Sequence, residues 1–374
     1  MDSQSYYDVI IIGGGIGGCA AALRAGQNNM RTLLLTGSKV SAKRSRSQWV
    51  MNIDNMIGMH EGVIKDQVIN TLSKAGNQEA TDLIRDTHYH INNRGIIKNT
   101  IERLASDFSG VVTVVSQECS QVERMEDGFT ALAGEESYSA PAMVLATGIM
   151  DRQPQLKVVD REGVVSTSPK PIFPFANRES LLYCIRCEGH LTIEDSVAVI
   201  GHSTTAVELA MILHERYGNQ IYLLTHGESP ILSTDTKAIF EAYNIEVIDE
   251  RIDEFSGAKV GQLCCVKFQS HPEIYVKFGL VSLGTYRVYN DLARQVGAQL
   301  TKTNEPPEQR QILVNNKSES SVRNFFVVGD AGVRFDEPVM KQIYTAQEYA
   351  VRAIDTIDHR KRRRMRAKVL NQND

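Results

Sequence analysis

"DVIIIGGGIGGCAAALRAG", residues 8–26, is the stretch that decides the fold. Its apolar run at 9–12 is typical of a strand buried in a parallel sheet, and the alanine-rich segment after the glycines favours a helix. "RTLLLTG", residues 31–37, predicts a second buried strand. A strand, a glycine turn, a helix and a strand within about 30 residues form the context in which G-x-G-x-x-G binds a dinucleotide.

The three spaced glycines of this turn have separate tasks. Gly13 permits the tight turn, Gly15 lets the backbone approach a pyrophosphate, and Gly18 lets the helix pack on the strand. The helix N-terminus then attracts the phosphate charge. The second strand ends in Leu35-Thr36-Gly37, without the acidic residue that NAD-binding units carry there. This departure favours FAD over NAD.

"SVAVIGHSTTAVELAMILHERYGNQIYLLTHG", residues 196–227, repeats the opening pattern about 190 residues later. It predicts a second Rossmann-like unit. Ser203 stands where the second glycine belongs, so a side chain lies where a pyrophosphate must approach the backbone. After the second strand, Thr225-His226-Gly227-Glu228 lacks the arginines that a 2′-phosphate requires. We therefore expect a degenerate unit that does not bind NADPH.

The remaining pattern completes an α/β fold with two Rossmann-like, three-layer ββα domains. Residues 111–148 read as consecutive strands with polar turns, an antiparallel insertion that returns to the sheet. Residues 325–332 read as an apolar strand ending in Gly-Asp, and a long helix closes the chain. The expected domain boundaries divide the chain into 1–158, 159–284 (central and degenerate, with the cysteine pair) and 285–374 (with the C-terminal helix and basic tail).

"YCIRCEGH", residues 183–190, carries two cysteines, Cys184 and Cys187, in a Cys-x-x-Cys pattern. Six cysteines in 374 residues do not make a disulfide scaffold. A zinc site needs two more ligands at similar spacing, and the other cysteines form no second Cys-x-x-Cys. The pattern therefore argues against a metal and favours a redox pair over a structural bridge.

Composition places the chain among ordinary globular proteins, with 42% hydrophobic and 23% charged residues and a net charge of −4. No apolar run approaches the roughly 18 residues of a membrane span, and no signal peptide is recognised, so we expect a cytoplasmic protein without a membrane partner.

Two stretches, 39–46 and 359–368, are strongly basic. Each is interpreted either as a solvated surface or as a patch that steers an acidic redox partner or holds a nucleotide phosphate. Nucleic acid is not an expected partner, because no aromatic platform or recognition motif accompanies the charge.

Over nearly its whole length the chain resembles the low-molecular-weight thioredoxin reductases. The similar segments are "GGGIGG", "LLLTG", "DNMIG", "VLATG", "CIRCEGH", "VVGDA" and Lys341-Gln342, in the family's order. The resemblance implies that 1–158 and 285–374 are the first and second parts of an FAD-binding domain. It also implies an FAD site in which Asp330 binds the ribityl chain and Lys341-Gln342 begins a helix facing the isoalloxazine. The full implied FAD set is Gly13, Gly15, Ile16, Gly18, Thr36, Gly37, Asn55, Thr147, Gly148, Gly329, Asp330, Lys341, Gln342 and Ile343.

The same resemblance assigns roles around the cysteines. Cys187 faces the flavin and forms the charge-transfer thiolate, while Cys184 attacks or releases the partner disulfide. Glu188 stands where the family has an aspartate that moves thiol protons, and its side chain is one methylene longer. His190 either shares this proton work or is an ordinary loop histidine.

The departures from the family are as informative as the matches. Both NADPH features are degraded, whereas each FAD feature is kept in some form; ferredoxin-dependent flavin thioredoxin reductases and diflavin-linked disulfide oxidoreductases share this profile. We therefore expect an FAD-dependent disulfide oxidoreductase that acts on a thioredoxin-like protein or a small disulfide without NADPH. Its donor is ferredoxin or a second bound FAD, and the resemblance implies a homodimer. A dithiol oxidase that uses oxygen and a redox sensor without turnover remain the alternatives.

Overall fold

The computed structural model describes residues 6–50, 53, 55–59, 61–86, 92–230, 232–257, 259–335 and 342–371. Contacts divide the chain into two compact units. The first unit comprises Met1–Gln48, Arg94–Met150 and Arg287–Asp374, and the second comprises Trp49–Asn93 and Asp151–Tyr286. The functional domains expected from the sequence are defined by the nucleotides they bind and stay a prediction.

The helices and strands of the described residues are numbered in chain order. The α-helices are α1 (Ile16–Gln27), α2 (Lys39–Ala42), α3 (Glu61–Lys74), α4 (Gln78–Asp86), α5 (Asn93–Asp107), α6 (Phe173–Asn177), α7 (Ile185–Glu188), α8 (Thr204–Tyr217), α9 (Thr234–Ala242), α10 (Asp291–Gln295) and α11 (Ile343–Asn371). The strands are β1 (Val9–Ile12), β2 (Thr32–Leu35), β3 (Val112–Val115), β4 (Cys119–Met125), β5 (Gly128–Ala133), β6 (Glu136–Ala140), β7 (Met143–Leu145), β8 (Ile149–Asp151), β9 (Leu156–Val159), β10 (Val165–Ser168), β11 (Leu181–Leu182), β12 (Ser196–Ile200), β13 (Gln220–Leu224), β14 (Glu246–Ile248), β15 (Ile252–Ser256), β16 (Cys265–Phe268), β17 (Ile274–Tyr275), β18 (Phe278–Val281), β19 (Thr285–Val288), β20 (Ile312–Val314), β21 (Phe325–Val327) and β22 (Gly332–Arg334).

The first unit is built on a five-stranded sheet in the order β21-β7-β1-β2-β3, and all its pairings are parallel. Every residue of β1 and β2 is buried, because both faces of the sheet are covered. Helices α1 and α11 cover one face, where small side chains such as Ala22, Ala25 and Ala353 let them pack closely. The antiparallel sheet β4-β5-β6 packs on the other face, around Phe129 and Phe325. The unit therefore has the three layers predicted from the sequence.

The second unit repeats this plan. Its parallel sheet has the order β11-β18-β12-β13-β14, with α8 packed on one face, and a three-stranded antiparallel sheet, β15-β16-β17, accompanies it. The prediction of two Rossmann-like units is thus confirmed. The carboxyl ends of parallel strands share one sheet edge, so each unit presents the turn after its first strand beside the turn after its second.

None of the helices within the described residues combines the length and the apolar character that crossing a membrane requires.

Candidate cofactor site and redox pair

The glycine turn between β1 and α1 contains two kinds of glycine. Gly13 has φ +116°, and a Cβ there would lie 2.4 Å from the Ala146 carbonyl oxygen. A Cβ on Gly18 would lie 1.8 Å from the Gly13 carbonyl oxygen, so both positions require glycine for packing. A Cβ on Gly15, in contrast, would have no atom within 4 Å.

Gly15 is the N-cap of α1, and no side chain caps the helix there. The first N–H groups of an α-helix lack intrahelical partners and carry the positive end of its dipole. Open space at Gly15 therefore leaves a site for an anion above the helix N-terminus. These residues fit the pyrophosphate of FAD.

Several other predicted cofactor residues lie at the same edge of the sheet. Thr36 and Gly37 follow β2, and the Thr36 N–H donates to the Val115 carbonyl at 2.9 Å. Thr147 and Gly148 follow β7, where the Thr147 hydroxyl donates to the Tyr289 carbonyl at 2.5 Å. The fold thus brings residues from three separate motifs to the edge that holds the glycine turn.

Asp330 lies in a 3-10 turn after β21 and forms an ion pair that the sequence did not indicate. Its Oδ2 is 3.1 Å from a guanidinium nitrogen of Arg46, and both side chains are mostly buried. Arg46 belongs to the basic stretch 39–46, which the sequence left as either a solvated surface or a patch that steers a redox partner or holds a nucleotide phosphate. Tyr289 donates to the Arg44 carbonyl in this stretch, at 2.9 Å. Because Arg46 holds the carboxylate expected to bind the ribityl chain, it joins the candidate cofactor residues.

Three further predicted cofactor residues, Gln342, Lys341 and Asn55, come from segments outside the glycine turn. Gln342 is buried and directly precedes α11, which begins at Ile343; its N–H donates to the Thr345 hydroxyl at 3.2 Å. Lys341 lies outside the described residues. Asn55 belongs to the second unit, within Trp49–Asn93. The roles of these residues stay predictions.

Cys184 and Cys187 form a disulfide, with their Cα atoms 5.3 Å apart. Cys184 is the N-cap of α7, and its Sγ accepts from the Cys187 N–H at 3.2 Å. Cys187 is buried, whereas Cys184 is half-buried, so Cys184 is the sulfur more open to a partner. The other cysteines are reduced, and of the adjacent pair one, Cys264, is exposed while Cys265 is buried.

Glu188 supports the backbone of the redox pair. Its carboxylate is buried, and Oε2 accepts from the N–H groups of Tyr183 at 3.0 Å and Cys184 at 3.1 Å. Charged acceptors make strong hydrogen bonds, so Glu188 fixes the segment that presents Cys184. His190 lies two residues further on and is exposed, in the 3-10 turn Gly189–Thr192.

An aromatic group adjoins the redox segment, and sequence reasoning missed it. Trp49 stacks on Phe173 at 4.2 Å between ring centroids and lies 6.1 Å from the Tyr183 ring. The Tyr183 hydroxyl donates to Gln153 Oε1 at 2.7 Å, and burial, then the charges of Asp151 and Glu188, raise its pKa well above the usual value. Tyr183 therefore stays a neutral hydrogen-bond donor. The signal in the sequence was the single tryptophan of the chain.

The turn between β12 and α8 differs from the first glycine turn at its second position. Gly201 is still required, because a Cβ there would lie 2.4 Å from the Ser282 carbonyl oxygen. Ser203 is the N-cap of α8, and its Oγ accepts from the Ala206 N–H at 3.3 Å. The side chain thus occupies a helix N-terminus that glycine leaves open in α1.

The ends of β12 and β13 carry two buried polar atoms that have no hydrogen-bond partner among the described residues. They are His202 Nδ1 and Thr225 Oγ1; Thr225 is fully buried. Buried polar groups in folded proteins are nearly always satisfied by protein, water or a ligand. The edge of this second sheet is therefore polar and incompletely satisfied by the protein itself.

His226 and Arg251 complete this edge. His226 has φ +58°; its Nδ1 accepts from the Ile252 N–H at 3.1 Å, which leaves the Nε2 proton for the Gln155 carbonyl at 3.2 Å. Burial, then the nearby Arg251 charge, lowers the His226 pKa. The Arg251 side chain passes Gly227, its Cγ 2.8 Å from where a Cβ would be. Sequence reasoning missed this arginine because it follows β14, not β13.

Known proteins share this fold. Thioredoxin reductase from Coxiella burnetii is 23% identical over 216 residues, and the alignment spans 57% of this chain and 52% of that protein. The crystal structure of thioredoxin reductase from Streptococcus pyogenes MGAS5005 is similar with a TM-score of 0.70 and 18% identity, over 96% of this chain and 98% of that one. Thioredoxin reductase from Giardia duodenalis gives 0.67 and 17% identity, over 95% and 99%.

These structures establish that the chain has a thioredoxin reductase-like fold. Because the sequence identities are below 20%, the similarity concerns the fold alone. The profile of the pyridine nucleotide-disulphide oxidoreductase family matches residues 7–350, nearly the whole chain. Together with the open glycine turn and the Cys184–Cys187 disulfide, this match shows that the chain belongs to the pyridine nucleotide-disulphide oxidoreductase family.

Proposed function

We propose that this protein is an FAD-dependent thiol-disulfide oxidoreductase that works through Cys184 and Cys187 and does not use NADPH. The observation that carries the proposal is the contrast between two helix N-termini. The N-terminus of α1 is open at Gly15, whereas that of α8 is capped by the hydroxyl of Ser203. The first fits a pyrophosphate, and the second lacks the open backbone on which a Rossmann-like unit seats the pyrophosphate of NADPH.

FAD would be held by the first unit, through the turn at Gly15, Thr147 and Asp330. In domain terms, residues 1–158 and 285–374 bind FAD, and residues 159–284 carry the redox pair. When bound, FAD supplies a two-electron carrier. A location in the cytoplasm and a homodimer belong to the same proposal, by resemblance to thioredoxin reductases.

Reduction of the Cys184–Cys187 bond takes two electrons and two protons and yields two thiols. The Cys184 thiolate attacks a sulfur of the partner disulfide, forming a mixed disulfide and releasing one partner thiolate, which takes a proton. The Cys187 thiolate then attacks the Cys184 sulfur, which closes the original bridge and releases the second partner thiol. The sequence runs in reverse when the partner donates electrons. The greater exposure of Cys184 supports its role as the sulfur that meets a thioredoxin-like protein or a small disulfide.

The electron donor is a second bound flavin nucleotide or a ferredoxin. The unpartnered atoms of His202 and Thr225, with Arg251 nearby along the edge of the second sheet, favour a bound group there. A second FAD, held by these side chains and not by the N-terminus of α8, is therefore the donor that this edge supports better.

Anaerobic titration with NADPH tests the proposal. The flavin should stay oxidised at saturating NADPH, while reduced ferredoxin or a reduced free flavin bleaches it and a thioredoxin disulfide is then reduced. Rapid bleaching by NADPH contradicts the proposal. Hydrogen peroxide formed from an added dithiol would instead support a dithiol oxidase, and absence of turnover with every donor would support a sensor.

The flavin content per chain separates the two donors. Two FAD per chain, falling to one in an Arg251→Ala variant, would support a nucleotide in the second unit. One FAD per chain in the unaltered protein would leave ferredoxin as the donor.

A further inference from the structure

The first unit contains a pocket of about 530 Å³ that neither the glycine turn nor the redox pair uses. It lies between the tip of the β4–β5 hairpin and the C-terminal part of α11. Five arginines line it: Arg124, Arg323, Arg360, Arg363 and Arg364. Its volume falls in the range of about 300–1,000 Å³ that small-molecule sites occupy.

The arginines of α11 continue the stripe that packs the helix on the core. Ala350, Ala353 and Ile357 are buried at a spacing of three and four residues. At the same spacing the stripe continues with Arg360 and Arg364, which line the pocket. The arginines therefore face the body of the unit at the point where the hydrophobic core ends.

Ion pairing distinguishes the five arginines. Arg360 pairs with Glu319, with Nη2 to Oε2 at 2.8 Å, so its charge is largely compensated. Arg124, Arg363 and Arg364 form no ion pair with an acid among the described residues, and the charge of Arg323 helps to lower the pKa of Glu319 without a direct ion pair. Arg363 and Arg364 are exposed, so their guanidinium groups are available to a ligand.

Two carboxylates limit what the pocket can hold. Glu126 and Asp127, at the hairpin tip, also line it, but the five arginines outnumber them. A continuous nucleic acid backbone would run past these carboxylates and be repelled. A short anion can contact the arginines alone, and the carboxylates remain free to accept from hydroxyl or amino groups elsewhere in the ligand.

We propose that this pocket binds a small anion with two or more linked phosphates. The planar guanidinium fork of arginine matches phosphate oxygens in pairs, and several adjacent forks suit adjacent phosphates. A nucleoside polyphosphate and an inorganic polyphosphate share this chemistry. Met125 lies at the same hairpin tip with 52% of its surface exposed, and an aromatic base could pack on it.

Calorimetric titration of the flavin-loaded full chain with tripolyphosphate and with ATP, without added metal, tests the proposal. The pocket variant is Arg363→Gln/Arg364→Gln. The matched control is Arg366→Gln/Lys368→Gln, which removes the same charge from exposed positions of α11 that do not line the pocket. Each lost charge-assisted hydrogen bond should weaken binding about tenfold, so the pocket variant should bind about 100-fold more weakly. The control should stay within about threefold of the unaltered chain.

Equal losses in both variants would overturn the proposal, because they would indicate general electrostatic attraction. It would also fail if neither anion bound the unaltered chain, or if a DNA or RNA duplex bound more tightly than both. Equal affinity for tripolyphosphate and ATP would support the phosphate chain alone as the ligand. Tighter binding of ATP that Met125→Ser reduces, with tripolyphosphate unaffected, would support a nucleotide. Unchanged flavin content and thermal unfolding would show that the variants fold normally.

Discussion

Replacing Gly15 by serine should separate cofactor binding from folding. Gly15 has the extended backbone of an N-cap, φ −78° and ψ −172°, and a Cβ there meets nothing within 4 Å. A serine at this position can accept from the Gly18 N–H, as Ser203 accepts from the Ala206 N–H in α8. The variant would reproduce in the first unit the cap that closes the second.

The expected change in FAD affinity follows from the hydrogen bond that the new serine would take from the phosphate. Serine and glycine at an N-cap differ by only a few tenths of a kcal/mol, so the apoprotein should be about as stable as the unaltered one. A phosphate that loses one charge-assisted hydrogen bond forfeits about 1.5–3 kcal/mol. The dissociation constant for FAD should therefore rise by about 10- to 150-fold.

The assay is a titration of flavin-free protein with FAD, followed by flavin fluorescence, alongside thermal unfolding of the same sample. Gly13→Ala is the control for damage to the turn, because its Cβ would lie 2.4 Å from the Ala146 carbonyl oxygen at φ +116°. That variant should unfold at a clearly lower temperature. Affinity of Gly15→Ser within about twofold of the unaltered protein would refute the placement of the pyrophosphate at the N-terminus of α1.

Three further outcomes follow from the second unit. Cys187→Ser should abolish reduction of a partner disulfide while FAD stays bound, measured by turnover and flavin absorbance; surviving turnover would remove the pair from the mechanism. Glu188→Gln should lower the unfolding temperature, because the carboxylate that accepts from two backbone N–H groups becomes a neutral amide; an unchanged pH–rate profile would limit Glu188 to positioning. His226 has a lowered pKa, so the unfolded chain binds a proton more readily, and the free energy of unfolding should fall as pH drops through about 6.5. His226→Asn, which tolerates positive φ, should weaken this dependence in urea titrations at pH 5 and 7.5; an identical dependence in both proteins would place its origin elsewhere.

Much of the fold could be predicted because its signals are local. Apolar runs of four or five residues, glycine turns and alanine-rich segments specify strand, turn and helix within one stretch of chain. Parallel pairing brings the residues after β1, β2 and β7 to one edge, and the resemblance to thioredoxin reductases had already grouped Gly15, Thr36 and Thr147 as cofactor residues. The pairing of Cys184 with Cys187 could also be predicted from the sequence, since a separation of three residues suits a disulfide across one turn.

The sequence by itself determined two strand-turn-helix units, the cysteine pair and the serine that departs from the glycine pattern. Only the tertiary structure decided which distant side chains meet. Arg46 reaches Asp330 across 284 residues, and Arg124 joins Arg363 at one pocket. The physical reason is that periodicity specifies how a segment folds and which face it buries. An ion pair or a pocket depends instead on how segments remote in sequence pack together. No local sequence pattern specifies which remote side chains come within contact distance.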